Sequence, residues 1–410
     1  MRQKNILPIL FSTLLLDMIG VGMLIPVIPS LFTDPTSSSF MLQGYSVSAQ
    51  YIVAGLVTAL FGFMQFLAAP FLGELSDLYG RKKLLAIGVG MLAIANLVFA
   101  AGIALGSLMI LLASRIIAGI AGANFSIAQA AIADVTAPEN RAKNFGLIGA
   151  AFGLGFVFGP LIGGWLSSAT GSPAVPFIFA GILGIVNLLL VTFIFPETHP
   201  TRASNKKLSL VKAFHNIADA WNDVGVRPIY LVGFLSMLGF SFFTSFIAVF
   251  LVHRFQFTQA MTGTYFAFVG VWVIFAQAVV VRFVSARYSE RKILTWALPA
   301  LAAVIAIYPL VPSVIYLYLT MPIMAAAFGL INTSVPSLVS KGVSAEKQGT
   351  ALGINGSLQA LTSGIAPLIA GVTSGFLGLN AAFLFGATIV LLAFFLVRGN
   401  RRRRVTALNI

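Results

Sequence analysis

The sequence predicts an all-α integral membrane protein, with twelve transmembrane helices arranged as two six-helix bundles. Three observations lead there. The 410-residue chain is 59% hydrophobic and only 9% charged, whereas a soluble domain carries about 25% charge. Its apolar residues fall in runs of about 20, the length that crosses a ~30 Å hydrocarbon core as a helix, and no open sheet edge can face lipid. The chain also repeats. At a shift of 207 residues, Gly122, Glu139, Gly146, Gly149, Pro160 and Gly164 fall on Gly329, Glu346, Gly353, Gly356, Pro367 and Gly371. Two parallel six-span halves follow, with a central site between them near mid-membrane.

In chain order the spans are expected at about 6–31, 50–72, 84–104, 107–133, 144–167, 174–195, 228–251, 261–284, 293–310, 313–339, 349–372 and 377–397. The gaps differ in charge. Arg2 and Lys4, Arg81 to Lys83, Arg141 and Lys143, Arg202 to Arg227, Arg282 to Lys292, Lys341 and Lys347, and Arg398 to Arg404 all fall on one side. The other side holds Arg254 and no other basic residue in its gaps. Lys and Arg accumulate in cytoplasmic loops, so both termini are expected in the cytoplasm. This placement accounts for the net charge of +14 and argues against a nucleic-acid partner.

The first apolar stretch, about Ile6 to Leu31, is too long for a cleavable signal. The spans divide into a bundle over 1–195, a cytoplasmic linker over 196–227, a second bundle over 228–398 and a basic tail over 399–410. In the linker, Leu210, Phe214, Ile217 and Trp221 recur at helical spacing beside Lys206, Lys207 and Lys212. That pattern reads as an amphipathic helix on the membrane surface.

Function classes narrow quickly. There is no Cys, hence no disulfide or thiol chemistry. The three histidines, His199, His215 and His253, have no second ligand at metal spacing. No catalytic constellation and no phosphate-binding G-x-x-x-x-G-K-[ST] loop appears. A transporter is expected rather than an enzyme. It needs no metal and no cofactor beyond protons as coupling ion, and its partners are a small-molecule substrate and the lipid bilayer. A monomer is expected.

Within the first span lies Asp17, followed by Gly20, Gly22, Pro26 and Pro29. A charged side chain at the bilayer centre costs about 2.5–3.5 kcal/mol on insertion scales, so a carboxylate there implies a use. Asp17 lies ~14 Å past Pro8 at 1.5 Å rise per residue. Substrate would leave with Asp17 ionised, and protonation from outside would permit the return. Arg115, in the fourth span, is the only basic residue deep within a span. It lies ~10 Å from the opposite surface. The two depths allow an ion pair, either for proton transfer or as a fixed structural pair.

The second gap reads Gly73-Glu74-Leu75-Ser76-Asp77-Leu78-Tyr79-Gly80-Arg81-Lys82-Lys83. Its glycines permit a tight turn. Asp77 can bind a helix N-terminus or a basic partner across the half-interface, and Arg81 and its neighbours can pair with it or with acidic lipid headgroups. The fifth span carries Gly155, Gly159, Pro160, Gly163 and Gly164, small residues that let helices approach closely and a proline that removes one intrahelical bond. Polar residues at mid-span, Gln65, Asn124, Gln129, Asn332, Asn355 and Gln359, are candidates to line a substrate cavity with Met18. Apolar candidates for its walls are Met23, Phe61, Met64, Phe66, Phe240, Phe243, Trp272, Met324 and Phe328. Asp134 reads as a contact at a helix end.

These segments resemble the major facilitator superfamily. The loop resembles its G-x-L-x-D-R-x-G-R-[KR] pattern at Gly73, Leu75, Asp77, Gly80, Arg81 and Lys82, and departs at Leu78. In that family the loop latches the cytoplasmic side. Gly155 to Gly164 is similar to the G-x-x-x-G-P-x-x-G-G signature of its proton-coupled exporters. Leu16 to Pro29 resembles the first span of twelve-span drug:proton antiporters, in particular the tetracycline-exporter-like branch. Arg115 resembles that family's fourth-span arginine, to which proton transfer is assigned. Four residues before Gln277, where tetracycline exporters carry a His, this chain has Val273. The resemblance implies proton-coupled antiport, exporting small amphipathic drugs or toxic compounds by alternating access. The expected location is a plasma membrane, in particular a bacterial inner membrane. Transport of one metabolite (a sugar, an amino acid or a siderophore) is the alternative.

Overall fold

A computed structural model describes residues 6–136, 141–198, 225–344 and 348–407, with isolated positions between 214 and 222. Twelve helical spans are long and apolar enough to cross a membrane: α1 (Ile6–Phe32), α2 (Val47–Tyr79), α3 (Arg81–Ala104), α4 (Leu108–Val135), α5 (Leu147–Thr170), α6 (Val175–Phe193), α7 (Arg227–Phe255), α8 (Gln259–Ser285), α9 (Glu290–Leu310), α10 (Val314–Lys341), α11 (Ala351–Leu377) and α12 (Asn380–Gly399). The surface helix expected around Leu210 to Trp221 lies outside the described residues, apart from isolated positions.

The chain folds into two bundles, α1–α6 and α7–α12, joined along two seams, α2 with α11 and α5 with α8. Alternation of twelve spans places the start of α1 and the end of α12 at one end of the molecule. The Gly80 turn lies at that end too, called here the terminal end.

Four spans depart from a regular α-helix, the simplest being α9, which ends in a 3₁₀ turn at Tyr308–Leu310. α1 is broken into Ile6–Gly22 and Val27–Phe32, because Pro26 and Pro29 cannot donate to the preceding turn. In α4 the ladder tightens at Gly122–Ala123, where Ala123 N bonds Ile120 O at 3.2 Å and Ser126 N bonds Ala123 O at 3.0 Å. Such i→i−3 stretches inside a helix often mark hinges. In α8, Ala276–Val281 forms a π-helical turn.

The loop between α2 and α3 is shorter than the sequence implies. α2 runs helically through Gly73 to Tyr79, and the turn contracts to Gly80, whose φ of 97° few residues but glycine adopt. No atom lies within 4 Å of where a Cβ on Gly73 would sit, so packing there neither stops the helix nor demands the glycine.

The halves are closed at one end and splayed at the other. Away from the terminal end, Ser48 Oγ donates to Gly375 O at 2.6 Å, and Gly371 fits against Tyr51 and Gly55. On the second seam, Gly164 and Gly263 interlock through Gln259 and Pro160. Gln259 ties the seam to α1: its Nε2 donates to Ser30 Oγ at 2.5 Å, and it accepts from Ser167 Oγ at 2.5 Å. Towards the terminal end, positions Gly73, Gly149, Gly353 and Gly356 face open space. A cleft therefore opens between the bundles at the end that carries both termini.

Candidate substrate cleft and proton site

The Gly73–Lys83 segment builds a charged knot at the mouth of the cleft. Arg81 lies 2.5 Å from Asp77 and 3.1 Å from Asp134 of α4, and its Nη1 donates to Ser76 Oγ at 2.5 Å. Arg81 is 6% exposed, so these bonds act where water does not compete. Asp134 thus makes the helix-end contact expected of it. Sequence reading missed Glu197. Its carboxylate accepts from Arg81 N at 2.9 Å and from Lys82 N at 3.3 Å, capping α3 with charge of the favoured sign. A Cβ on Gly80 would overlap that carboxylate, so Gly80 is needed for space as well as for φ. The signal was there: Glu197 is the first acidic residue after the sixth span.

Removing a buried partner leaves charges uncompensated. Arg81→Ala should cost about 3 kcal/mol of stability, read as a lower unfolding temperature of the detergent-solubilised protein. An unchanged temperature would assign the knot no structural weight.

The glycine motif of α5 works as two stripes. Gly155, Gly159 and Gly163 face α1, where added Cβ atoms would strike Met18, Ile19, Gly22 and Met23. Pro160 and Gly164 face α8 at Gly263 and Gln259. One helix thereby packs against its own bundle and against the other. Met18, expected in the cavity, sits in the α1–α5 seam.

Asp17 is 7% exposed within the first bundle. Arg115, expected as its partner, makes no ion pair among the described residues. Its guanidinium lies over the rings of Phe99 at 5.0 Å and Phe61 at 5.7 Å, and its Nε has no hydrogen bond. The reason is helix length. α1 and α4 run antiparallel and span 27 and 28 residues, longer than the hydrocarbon core. Depths counted from opposite surfaces therefore do not converge. Arg115 lies nine positions before Asn124 on α4, ~14 Å at 1.5 Å rise.

The stretch of α4 that begins at Asn124 packs against α1. Asn124 is 1% exposed, and neither of its amide atoms has a hydrogen-bond partner among the described residues. It follows directly on the tightened stretch of α4, and Gln65 Nε2 of α2 donates to the Gly122 carbonyl there at 3.0 Å. Further along α1, Thr13 Oγ1 donates to Asn187 Oδ1 of α6 at 3.0 Å.

The second bundle contributes a cavity without ionisable groups. Ser236 and Met237 of α7, Phe328 and Asn332 of α10 and Gln359 of α11 line it. Phe328 stacks on Phe240 with ring centroids 4.0 Å apart. Asn355 is buried instead, its Oδ1 3.5 Å from where a Cβ on Gly233 would lie. Gln129 is exposed and is not brought to Asn124. Gln277, within the π turn of α8, faces Gly329 of α10. The first bundle thus holds one buried acid, and the second offers aromatic rings with neutral amides.

Comparison with known proteins fits this architecture. The family model described as Major Facilitator Superfamily matches residues 10–367. The chain is 33% identical to the tetracycline resistance protein, class C, of Escherichia coli, over 90% of this chain and 89% of that protein. The crystal structure of the human organic anion transporter MFSD10 (TETRAN) superposes with a TM-score of 0.73 at 25% identity, covering 97% of this chain and 100% of that one. A D-xylose-proton symporter shares the fold, with a TM-score of 0.76 at 18% identity over 97% of each chain. The chain is a multi-pass membrane transporter, and it belongs to the Major Facilitator Superfamily.

Proposed function

We propose that this protein is a proton-coupled antiporter that exports small amphipathic compounds across a bacterial inner membrane by alternating access, with both termini cytoplasmic. The observation that carries this reading is Asp17. It is the only acidic residue at the middle of a span, it is buried, and among the described residues it has no cation to fix its charge. A carboxylate so placed can change protonation as the halves rock. With the termini in the cytoplasm, the cleft is open inwards, the state that collects substrate before export. The tetracycline resistance relatives support a drug-like cargo. The aromatic and amide lining of the second bundle suits flat, amphipathic molecules, since such sites combine apolar walls with few polar groups. Arg81 with Asp77, Asp134 and Gly80 serves as the gate at the cytoplasmic end.

A second reading follows from Arg115. A buried guanidinium without a counter-ion is costly, and a relative named as an organic anion transporter is 25% identical. On this reading the cargo carries an acidic group. The test is a panel of cationic, neutral and anionic compounds added to inverted vesicles with an imposed pH gradient. Proton release on adding cationic or neutral drugs supports the first reading, and release confined to anions the second. Release by none of them, but by one sugar or amino acid, would replace both.

A further inference from the structure

The loop between α8 and α9 is the counterpart of the Gly80 turn in the other half. At a shift of 210 residues, Arg81 and Lys82 fall on Arg291 and Lys292, but Asp77 falls on Arg287. The first half ties its loop inwards, with Arg81 buried and bonded to Asp77 and Asp134. Between Arg282 and Lys292 the second half has a single acid, Glu290, and that acid is taken. It accepts from Ser337 Oγ at 2.8 Å and pairs with Lys341. Arg287 and Lys292 form no ion pair among the described residues.

Both cations are nevertheless held. Arg287 lies over the ring of Phe283 at 3.7 Å. Lys292 lies over Tyr288 at 4.7 Å and over Trp296 at 5.1 Å, and those two rings meet edge to face at 5.0 Å. A cation over a ring face is attracted by the ring quadrupole, which fixes its place without neutralising its charge. Arg287 and Lys292 remain exposed, and so do the rings of Phe283, Tyr288 and Trp296.

The helices decide what these groups face. α8 turns Gly263 and Gly270 towards α5, and Gln277 towards α10. Val271, Phe275, Val279 and Phe283 recur every four residues and are exposed, and Arg287 continues their spacing. On α9, Trp296 and Ile307 are exposed, and Lys292 lies one turn before Trp296. In a chain of twelve spans, acyl chains cover such outward apolar faces. Both cations therefore stand where an apolar surface gives way to water, the level at which Trp and Tyr also collect.

We propose that Arg287 and Lys292, seated on Phe283, Tyr288 and Trp296, bind the headgroup phosphate of an anionic phospholipid at the terminal end of the second bundle. The acyl chains of that lipid lie along the exposed faces of α8 and α9. A lipid fits better than a soluble anion, because the cations end two apolar faces and only a ligand with tails gains from both. The site does not depend on the roles proposed for Asp17 or the cleft.

The test measures lipid binding to the full chain in a neutral detergent by native mass spectrometry. The probes are phosphatidylglycerol and phosphatidylcholine with the same acyl chains. The native chain should retain phosphatidylglycerol in preference. Arg287→Gln and Lys292→Gln should each weaken that binding about fivefold, the worth of one basic residue near an anionic surface, and leave phosphatidylcholine unaffected. Lys292→Arg should keep the preference. The control is Arg282→Gln combined with Arg291→Gln. It removes two charges from the same loop, neither of which rests on a ring among the described residues, and it should weaken binding less than either single variant. All four side chains are exposed, so an unchanged unfolding temperature is expected throughout. Equal retention of the two lipids by the native chain overturns the proposal. So does an equal loss in the control, which would leave only a diffuse basic surface. Displacement of phosphatidylglycerol by inorganic phosphate at the same concentration also overturns it, since such a site would need no tails.

Discussion

Asp17→Asn should abolish substrate-driven proton movement while leaving the fold intact. The replacement is nearly isosteric, keeps a polar group at that position and removes only the ability to carry charge. A membrane potential supplies about 2.3 kcal/mol per charge per 100 mV, which sustains roughly a 50-fold concentration ratio at 1.4 kcal/mol per factor of ten. Without a titrating group that ratio falls to one. The variant should still exchange substrate down its gradient, because the cleft and its amide and aromatic lining are untouched. The measurement is drug-induced collapse of a pH gradient in inverted vesicles, with counterflow of labelled substrate as the control. A mutant that still collapsed the gradient would move the coupling site elsewhere. Arg115→Gln, by contrast, should leave coupling of neutral drugs in place, since no ion pair joins it to Asp17.

The second large effect concerns the closed end. Ser48→Cys combined with Gly375→Cys should form a disulfide that holds α2 and α11 together and stops transport. A Cβ on Gly375 would lie 3.1 Å from Ser48 Cα, so a small shift brings the two Cβ atoms to the 3.5–4.5 Å that a disulfide spans. The chain contains no cysteine, so no other thiol competes. Oxidation should remove transport, and a reductant should restore it fully. Each single variant should transport normally in either condition. Transport that persisted in the fully cross-linked protein would mean that the α2–α11 seam does not open during the cycle. The same seam predicts asymmetry. Cysteines at Gly73 and Gly353, which face open space, should cross-link only in a state where the terminal end has closed.

Much of the fold was legible in the chain. Twelve apolar runs, the 207-residue repeat and the separation of basic gaps came from composition and periodicity, because a lipid solvent leaves few alternatives to a long helix. The end of α2 was misread, since Gly73 looked like a turn residue. A glycine interrupts a helix only where another conformation offers a better contact, and here Gly80, with its positive φ and the carboxylate of Glu197, supplies it. The glycine stripes of α5 were legible as packing surfaces, but not the division between α1 and α8 that makes them serve both halves.

The sequence by itself determined the class of molecule, the number of spans, the repeat and the isolated acid at mid-membrane. It did so because hydropathy and charge act locally and repeat along the chain. Only the tertiary structure decided which groups meet: Arg115 with the rings of Phe61 and Phe99 rather than with Asp17, Glu197 with the start of α3, and the halves closed at one end and open at the other. Those pairings depend on how far each helix extends beyond the bilayer core and on which face it turns inwards. Both are fixed by backbone-to-backbone contact at glycines such as Gly55, Gly159 and Gly263, and a linear pattern of apolar residues does not encode them.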